Sequence, residues 1–315
     1  MSDTHTTLGR TLVIANPAAR SGHGKQAAER IARQLELHTD ATSDYAVKLT
    51  GAPGDAGELA RSAGDADTVI ALGGDGVIHE VACGLMTIGE DKRPRLGVIP
   101  MGSGNDFART LGLAKNAPAA SLGQLLRGTS RPLDVGRVNG VHYLQTLSFG
   151  LDAAIALDTM GKRSDTAAGR GSHLFAVSAV QILSSCRDGW HYVATIDDEH
   201  VEGTETIFAV QLGPTYGGGF RICPGASPTD GLLDVCYSLT LPATTAATLA
   251  LLGRARFGAH TSSSHLRLAR AASITIDFDE APPCQVDGER LEGTHFQIDV
   301  LPGALEVIVP QGFRG

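Results

Sequence analysis

At 315 residues the chain exceeds the usual size of one compact core, so two domains, or one domain with a large extension, is the expectation. Hydrophobic content of 42%, charged content of 19% and 39 glycines exclude a disordered or coiled-coil chain and suit a globular α/β protein with many tight turns. A net charge of −8 argues against whole-molecule attraction to nucleic acid or to an anionic membrane, and leaves a local basic patch as the one electrostatic route to either.

The five cysteines, Cys83, Cys186, Cys223, Cys236 and Cys284, are scattered without a CxxC pair, which speaks for a reduced cytoplasm rather than a disulfide framework. The polar opening MSDTHTTLGR predicts neither a signal peptide nor a membrane anchor. The longest apolar stretch, Leu239 to Leu252, is broken by Pro242 and falls short of the ~20 residues that a bilayer-spanning helix needs. A lipid, if handled, is therefore expected to be met peripherally.

From Thr11 to about Val135, short aliphatic runs alternate with helical segments: TLVIAN, GKQAAERIARQLEL, YAVKLT, DAGELARSAG, DTVIALGG, IHEVACGLM, RLGVIP and FARTLGL. This βαβ rhythm predicts a parallel sheet flanked by helices, with ligands outside the carboxyl ends of the strands. After PLDVGRVNG the texture becomes mostly β, in VHYLQTLSF, WHYVATI, TIFAVQLG, LLDVCYSL, SITIDFD, CQVDGE and FQIDVLPGALEVIVP. Helical insertions are expected at residues 171–185 and 243–257.

Three loops that follow predicted strands carry the chemistry. The first, Asn16-Pro17-Ala-Ala-Arg20-Ser21-Gly22-His-Gly24-Lys25, leads into a helix whose free amides and dipole suit an anion, with Lys25 or Arg20 adding charge. It is no Walker A motif, since no Ser or Thr follows the lysine. Gly22, Gly24 and Ala27 satisfy GxGxxA, but the second strand ends in Lys48-Leu49-Thr50 rather than in a ribose-holding acid, which weakens a dinucleotide reading. The second loop places Gly73, Gly74, Asp75 and Gly76 between a strand and a helix. Its glycines allow close approach to phosphate and Asp75 is suited to orient Mg²⁺, against the alternative that Asp75 merely caps the next helix. In the third, Gly102-Ser103-Gly104-Asn105-Asp106, Ser103 and Asn105 are the candidates for hydrogen bonds to phosphate or acceptor, and Asp106 reads as a helix cap.

These motifs resemble the lipid kinases with a diacylglycerol kinase catalytic domain, which include sphingosine, ceramide and phosphatidylglycerol kinases. The match rests on NPAARSGHGK, GGDGVIHEV, GVIPMGSGNDFAR, PTYGGGFRICPGASPTDGLLDV and QVDGE in this order, and it covers nearly the whole chain. GGDG alone is shared with NAD kinases and phosphofructokinases. The resemblance implies a phosphofructokinase-like α/β nucleotide-binding domain over residues 1–135. It implies a β-rich, sandwich-like lipid-substrate domain over 136–300, with the segment from about 301 to 315 returning to the first domain.

By the same resemblance, Asn16, Pro17, Ser21, Gly22, Lys25, Thr50, Gly73, Gly74, Asp75, Gly76, Val77, Ile78, His79, Ser103 and Asn105 would bind ATP. The acid pair Asp287 and Glu289 would lie beside the phosphates, Asp287 as general base and Glu289 in support. A structural Mg²⁺ would be held by Ser227, Asp230 and Leu232. Without the family, the Asp287-Gly288 dipeptide is an ordinary hairpin signal.

Val77 after GGDG, His79 in place of a common asparagine and Ser103 in place of threonine depart from the family pattern and loosen the acceptor assignment more than the chemistry. The expected activity is transfer of the γ-phosphate of ATP to a lipid hydroxyl, with diacylglycerol first among acceptors. An NAD kinase and a non-catalytic lipid or nucleotide sensor stand as alternatives. Expected partners are the nucleotide, a lipid at the membrane surface and, as an open alternative, a second copy of the chain. Docking cations are expected at Lys162, Arg163 and Arg170 and at Arg254 and Arg256. The 11 histidines show no zinc spacing.

Overall fold

The computed structural model describes residues 7–38, 40–165, 182, 189–242 and 244–315, with the backbone alone for 159–165. The chain forms two compact units, residues 1–135 with 302–315, and residues 136–301. The helix expected at 171–185 lies outside the described residues apart from Ile182, as do the side chains of Lys162, Arg163 and Arg170.

The first unit runs β1 (Arg10–Ala15), a single turn Ala19–Gly22, α1 (Gly24–Glu36), β2 (Asp44–Leu49), α2 (Asp55–Arg61), β3 (Thr68–Gly73), α3 (Asp75–Met86), β4 (Arg95–Pro100), α4 (Asp106–Leu111) and α5 (Pro118–Leu126). The strands lie parallel in the order β2-β1-β3-β4, and the returning end of the chain pairs beyond β4 through Val307 and Leu96. Every residue of the central strand β3, TVIALG, is buried, as a parallel strand covered on both faces requires. Helix α1 is amphipathic and buries Ala27, Ala28, Ile31 and Leu35.

Register sets the strand ends flush. Ala15 lies opposite Leu49 and Leu72, and Gly73 opposite Pro100, so the loops after β1, β2, β3 and β4 emerge along one edge. The chain goes from β1 to β2 on one side and then to β3 on the other, which is the strand-order reversal where open α/β sheets take ligands. Helices α2 and α3 approach through glycines: a Cβ on Gly84 would sit 2.3 Å from the Gly57 carbonyl oxygen. Glu80 of α3 accepts from Gly54 N–H at 2.9 Å and Ala56 N–H at 3.1 Å, capping α2 from its neighbour.

Strand β5 (Thr129–Val138) carries the chain out of the first unit. The second comprises β6 (Val141–Tyr143), β7 (Thr146–Gly150), α6 (Leu151–Asp165), β8 (Trp190–Ile196), β9 (Glu199–Glu205), β10 (Ile207–Gln211), β11 (Leu233–Ser238), α7 (Thr245–Ala255), β12 (Leu266–Ala271), β13 (Ser273–Phe278), β14 (Cys284–Val286), β15 (Glu289–Leu291) and β16 (His295–Val309). An antiparallel sheet in the order β12-β11-β10-β7-β14-β15 packs on one formed by β16-β13-β8-β9.

Aromatic rings fill the space between the sheets. Phe149 and Phe208 of the six-stranded sheet meet Phe296 and Tyr192 of the other, with centroids 4.8 and 5.2 Å apart in edge-on geometry. On the outer face of the six-stranded sheet, Ile207, Ala209 and Cys236 form a second cluster with Leu151 and Ile155 of α6 and Leu251 and Leu252 of α7.

Two acids, Asp152 and Glu205, are fully buried in this unit. Burial pushes the Asp152 carboxyl up to about 7 and raises Glu205 well above its ordinary range. An acid that holds its proton more tightly folded than unfolded stabilises the fold at low pH. That contribution declines as pH rises from about 4 through about 7. Asp152→Asn is therefore expected to flatten this decline and to be more stable than the wild type at pH 8 by on the order of a few kcal/mol, read from urea unfolding at a series of pH values. An unchanged pH slope would show that Asp152 ionises freely in the fold.

Candidate active site

The loop after β1 is built on Asn16. Its side-chain oxygen accepts from Ala18 N–H at 2.8 Å and its carbonyl from Ala19 N–H at 3.1 Å. A Cβ on Gly24 would fall 1.9 Å from that carbonyl, so only glycine can begin α1 there. Arg20, Ser21 and Gly22 are left-handed in succession, with φ of 50°, 58° and 91°. For the two non-glycine residues this costs on the order of 1–3 kcal/mol each, a strain that collects at ligand-binding loops. Ser21, Gly22 and Lys25 are exposed, and Asn16 and Pro17 half-buried. Arg20 donates to the Asn116 carbonyl at 3.3 Å.

In the loop after β3, a Cβ on Gly73 would lie 2.8 Å from that of Val77. Gly74 precedes α3 in extended conformation and, as a glycine, brings no side-chain cap to the start of this 12-residue helix. Val77, Ile78 and His79 are buried. Ile78 N–H is bonded to the Gly74 carbonyl, and His79 Nε2 lies 3.6 Å from Cys83 Sγ. Of the residues read as nucleotide-binding here, Gly73, Gly74, Gly76 and Val77 have backbone to offer, whereas the Ile78 and His79 side chains face the interior.

The Asp75 side chain links two loops. Its carboxylate accepts from Asn105 N–H at 2.8 Å and Asp106 N–H at 3.0 Å, tying the loop after β3 to the one after β4. These loops also touch through backbone: a Cβ on Gly102 would be 2.7 Å from Gly74 Cα, and one on Gly104 would be 2.8 Å from an Asp75 oxygen.

Asn105 departs from its expected role. It is 1% exposed and left-handed, and its amide pairs with its own loop, accepting from Gly102 N–H and donating to the Gly102 carbonyl, both at 2.8 Å. It shapes the loop, while Ser103 remains exposed. Thr50 closes the row at the end of β2, where its N–H donates to the Ala15 carbonyl at 3.0 Å.

In the second unit, Asp287 and Gly288 form a two-residue hairpin between β14 and β15, both left-handed with φ of 47° and 99°. The Asp287 carboxylate accepts three backbone N–H groups, from Leu144 at 2.7 Å, Gln145 at 3.0 Å and Thr146 at 2.9 Å. It anchors the turn, a structural role beside the one as general base that the resemblance implies for it. Glu289, on the exposed side of the turn, makes no ion pair among the described residues.

The Ser227, Asp230 and Leu232 segment does not fit a divalent-cation site. One Asp230 oxygen pairs with the Arg270 guanidinium and the other accepts from Leu232 N–H at 3.1 Å, while Ser227 Oγ bonds Thr229 Oγ1 at 3.1 Å. Arg270 Nε also lies 3.8 Å from Asp234, its cross-strand neighbour. A guanidinium thus neutralises the carboxylate that a metal would need, and no metal-binding group of three or more His, Cys, Asp or Glu occurs among the described residues.

Residues 10–138 match the diacylglycerol kinase catalytic domain family, and residues 145–309 match the family of YegS C-terminal NAD kinase β-sandwich-like domains. The chain is 33% identical to a "probable lipid kinase YegS-like" of Pseudomonas aeruginosa, over 92% of this chain and 93% of that one. It is 29% identical to a diacylglycerol kinase of Bacillus subtilis, over 90% of each. A crystal structure of a diacylglycerol kinase from Bacillus anthracis superposes over 98% of both chains with a TM-score of 0.72; at 23% identity this carries the fold alone.

The Asn105 geometry predicts that Asn105→Ala, which leaves Gly102 N–H and C=O without their partners, lowers unfolding stability by about 1–3 kcal/mol. If this edge takes ATP with Mg²⁺, the same variant weakens that binding at least tenfold, followed by the shift in melting temperature with nucleotide concentration. Wild-type nucleotide affinity in the folded variant would show that the loop after β4 plays no part in binding.

Proposed function

Because the chain belongs to the lipid-kinase family that includes YegS-like proteins and bacterial diacylglycerol kinases, we propose that it transfers the γ-phosphate of ATP to a lipid hydroxyl, with diacylglycerol as the first acceptor and phosphatidic acid as its product. The supporting observation is the backbone-to-backbone approach of Gly74 and Gly102 at the ends of adjacent strands, beside a helix that begins at Gly74 with no side chain at its cap. Such a glycine-lined edge admits a phosphate chain and presents N–H donors to it. Lys25 and Arg20 add positive charge from the neighbouring loop, and Thr50 and Ser103 add hydroxyls.

Bound Mg²⁺ would neutralise charge on the β- and γ-phosphates, and Asp75 is the acid of this edge nearest in kind to its needs. With both its oxygens already on the Asn105 and Asp106 amides, Asp75 acts first by fixing the loops that surround the nucleotide. A general base takes the proton of the acceptor hydroxyl as its oxygen bonds to the γ-phosphorus, and of the pair Asp287 and Glu289 the exposed Glu289 is the candidate for it. The bond from that phosphorus to the bridging oxygen breaks and ADP leaves. Asp287 holds the turn that presents Glu289.

Glu289→Gln is expected to lower turnover by about 10²–10⁴, the range for loss of a general base, while leaving the ATP-induced rise in melting temperature intact. Asp287→Asn should lower stability as well as turnover. The assay is ATP consumption in mixed micelles against diacylglycerol, phosphatidylglycerol, sphingosine, ceramide and NAD. Undiminished activity of folded Glu289→Gln would place the base elsewhere, and turnover of NAD without turnover of any lipid would overturn the acceptor class.

A further inference from the structure

Between Asp234 and Asp277 the sequence contains no acidic residue and four arginines, Arg254, Arg256, Arg267 and Arg270, in a chain whose net charge is −8. The structure folds this run into one neighbourhood of the second unit: the end of α7, the short helical turn Ala259–Ser262 and β12. Arg221 joins it, with its N–H bonded to the Ala255 carbonyl at 2.9 Å.

Arg270 is neutralised by Asp230 and Asp234, whereas the side chains of Arg254, Arg256 and Arg267 bond neutral groups and that of Arg221 is exposed. Arg254 donates to the Ala259 carbonyl and to Ser262 Oγ, and Arg267 to the Ser264 and Leu266 carbonyls. Arg256 donates to the Gly219 carbonyl at 2.5 Å and lies over the Phe220 ring at 5.7 Å. Arg221, Arg254, Arg256 and Arg267 make no salt bridge among the described residues, so their charges stay uncompensated, and the guanidinium groups of Arg254, Arg256 and Arg267 are held by neutral acceptors. In their midst Phe257 is 78% exposed, and on β12 Leu268 is 48% exposed.

We infer that this face, Arg221, Arg254, Arg256, Phe257 and Arg267, is the surface by which the protein docks on an anionic phospholipid bilayer, the arginines pairing with headgroup phosphates and Phe257 entering the interface. The inference deepens the lipid-kinase reading and rests on it for the source of the lipid. Charge decides the partner: the acidic remainder of the molecule repels an anionic surface beyond a Debye length of about 8–10 Å, so attraction must come from a patch that touches it. A ring flanked by arginines fits an interface that is anionic at its rim and apolar beneath.

The test is cosedimentation of the full chain with vesicles of phosphatidylcholine alone or with added phosphatidylglycerol, without ATP or acceptor. Binding is expected only with phosphatidylglycerol and should fall as salt is raised. Each arginine at such a surface contributes about fivefold, so Arg254→Gln with Arg256→Gln should weaken binding roughly 25-fold. Phe257→Ser should weaken it without altering the salt dependence. Should the first pair unfold, Arg221→Gln with Arg267→Gln removes the same charge. Equal binding to phosphatidylcholine alone, wild-type binding by these variants, or arginine-dependent binding of a nucleic-acid oligomer in place of vesicles would each overturn the inference. A protein that binds vesicles in this way yet phosphorylates no lipid leaves the surface standing and fails only the kinase reading.

Discussion

The candidate nucleotide edge depends on one carboxylate. Asp75 reaches from the start of α3 to the Asn105 and Asp106 amides, so the loops after β3 and β4 are held as one body. A charged acceptor on two backbone donors is stronger than a neutral hydrogen bond, and it sits where α4 begins and positive dipole collects. The glycines follow from it: with the loops drawn together, Gly102 faces Gly74 Cα and Gly104 faces the Asp75 oxygen itself, leaving no room for a Cβ at either. Asn105 completes the loop by closing on Gly102.

The second unit repeats the device. Asp287 fixes a tight turn through three amides from the segment that enters β7, and Gln285 adds a bond to Gly288 N–H at 2.7 Å. In each unit the acid that looks most chemical in the sequence is first an organiser of backbone. The more exposed neighbours, Ser103 beside Asn105 and Glu289 beside Asp287, are left open to a ligand or a proton. Arg270 shows the same economy: one internal cation answers both Asp230 and Asp234.

The six-stranded sheet divides its two faces by chemistry. One meets the opposing sheet through Phe149 and Phe208, and its packed rings give that face a single arrangement. The other carries Ser148, Gln211 and Gln285 among aliphatic residues beneath α6 and α7, with Gln285 donating to Ser148 Oγ at 2.8 Å. That bond satisfies the Gln285 amide and the Ser148 hydroxyl without water.

The sequence by itself determined the alternation of short aliphatic strands and amphipathic helices in the first unit, because buried parallel strands and one-sided helices each impose a local period. It also placed Gly73-Gly74-Asp75 and Gly102 to Asp106 at strand ends, since glycine and short polar residues mark the turns where a strand stops. It was silent on α5 and α6. It also missed β9, EHVEGTE, and β12, LRLARA, whose exposed acids and arginines hide the strand pattern at sheet edges. Only the tertiary structure decided what the acids do. The donors that bind Asp287 lie 141 to 143 residues away along the chain, those on Asp75 lie 30 and 31 away, and the arginine on Asp230 lies 40 away. A carboxylate's role is set by whichever donors the fold brings within about 3 Å of it, and no local pattern of residues encodes that distance.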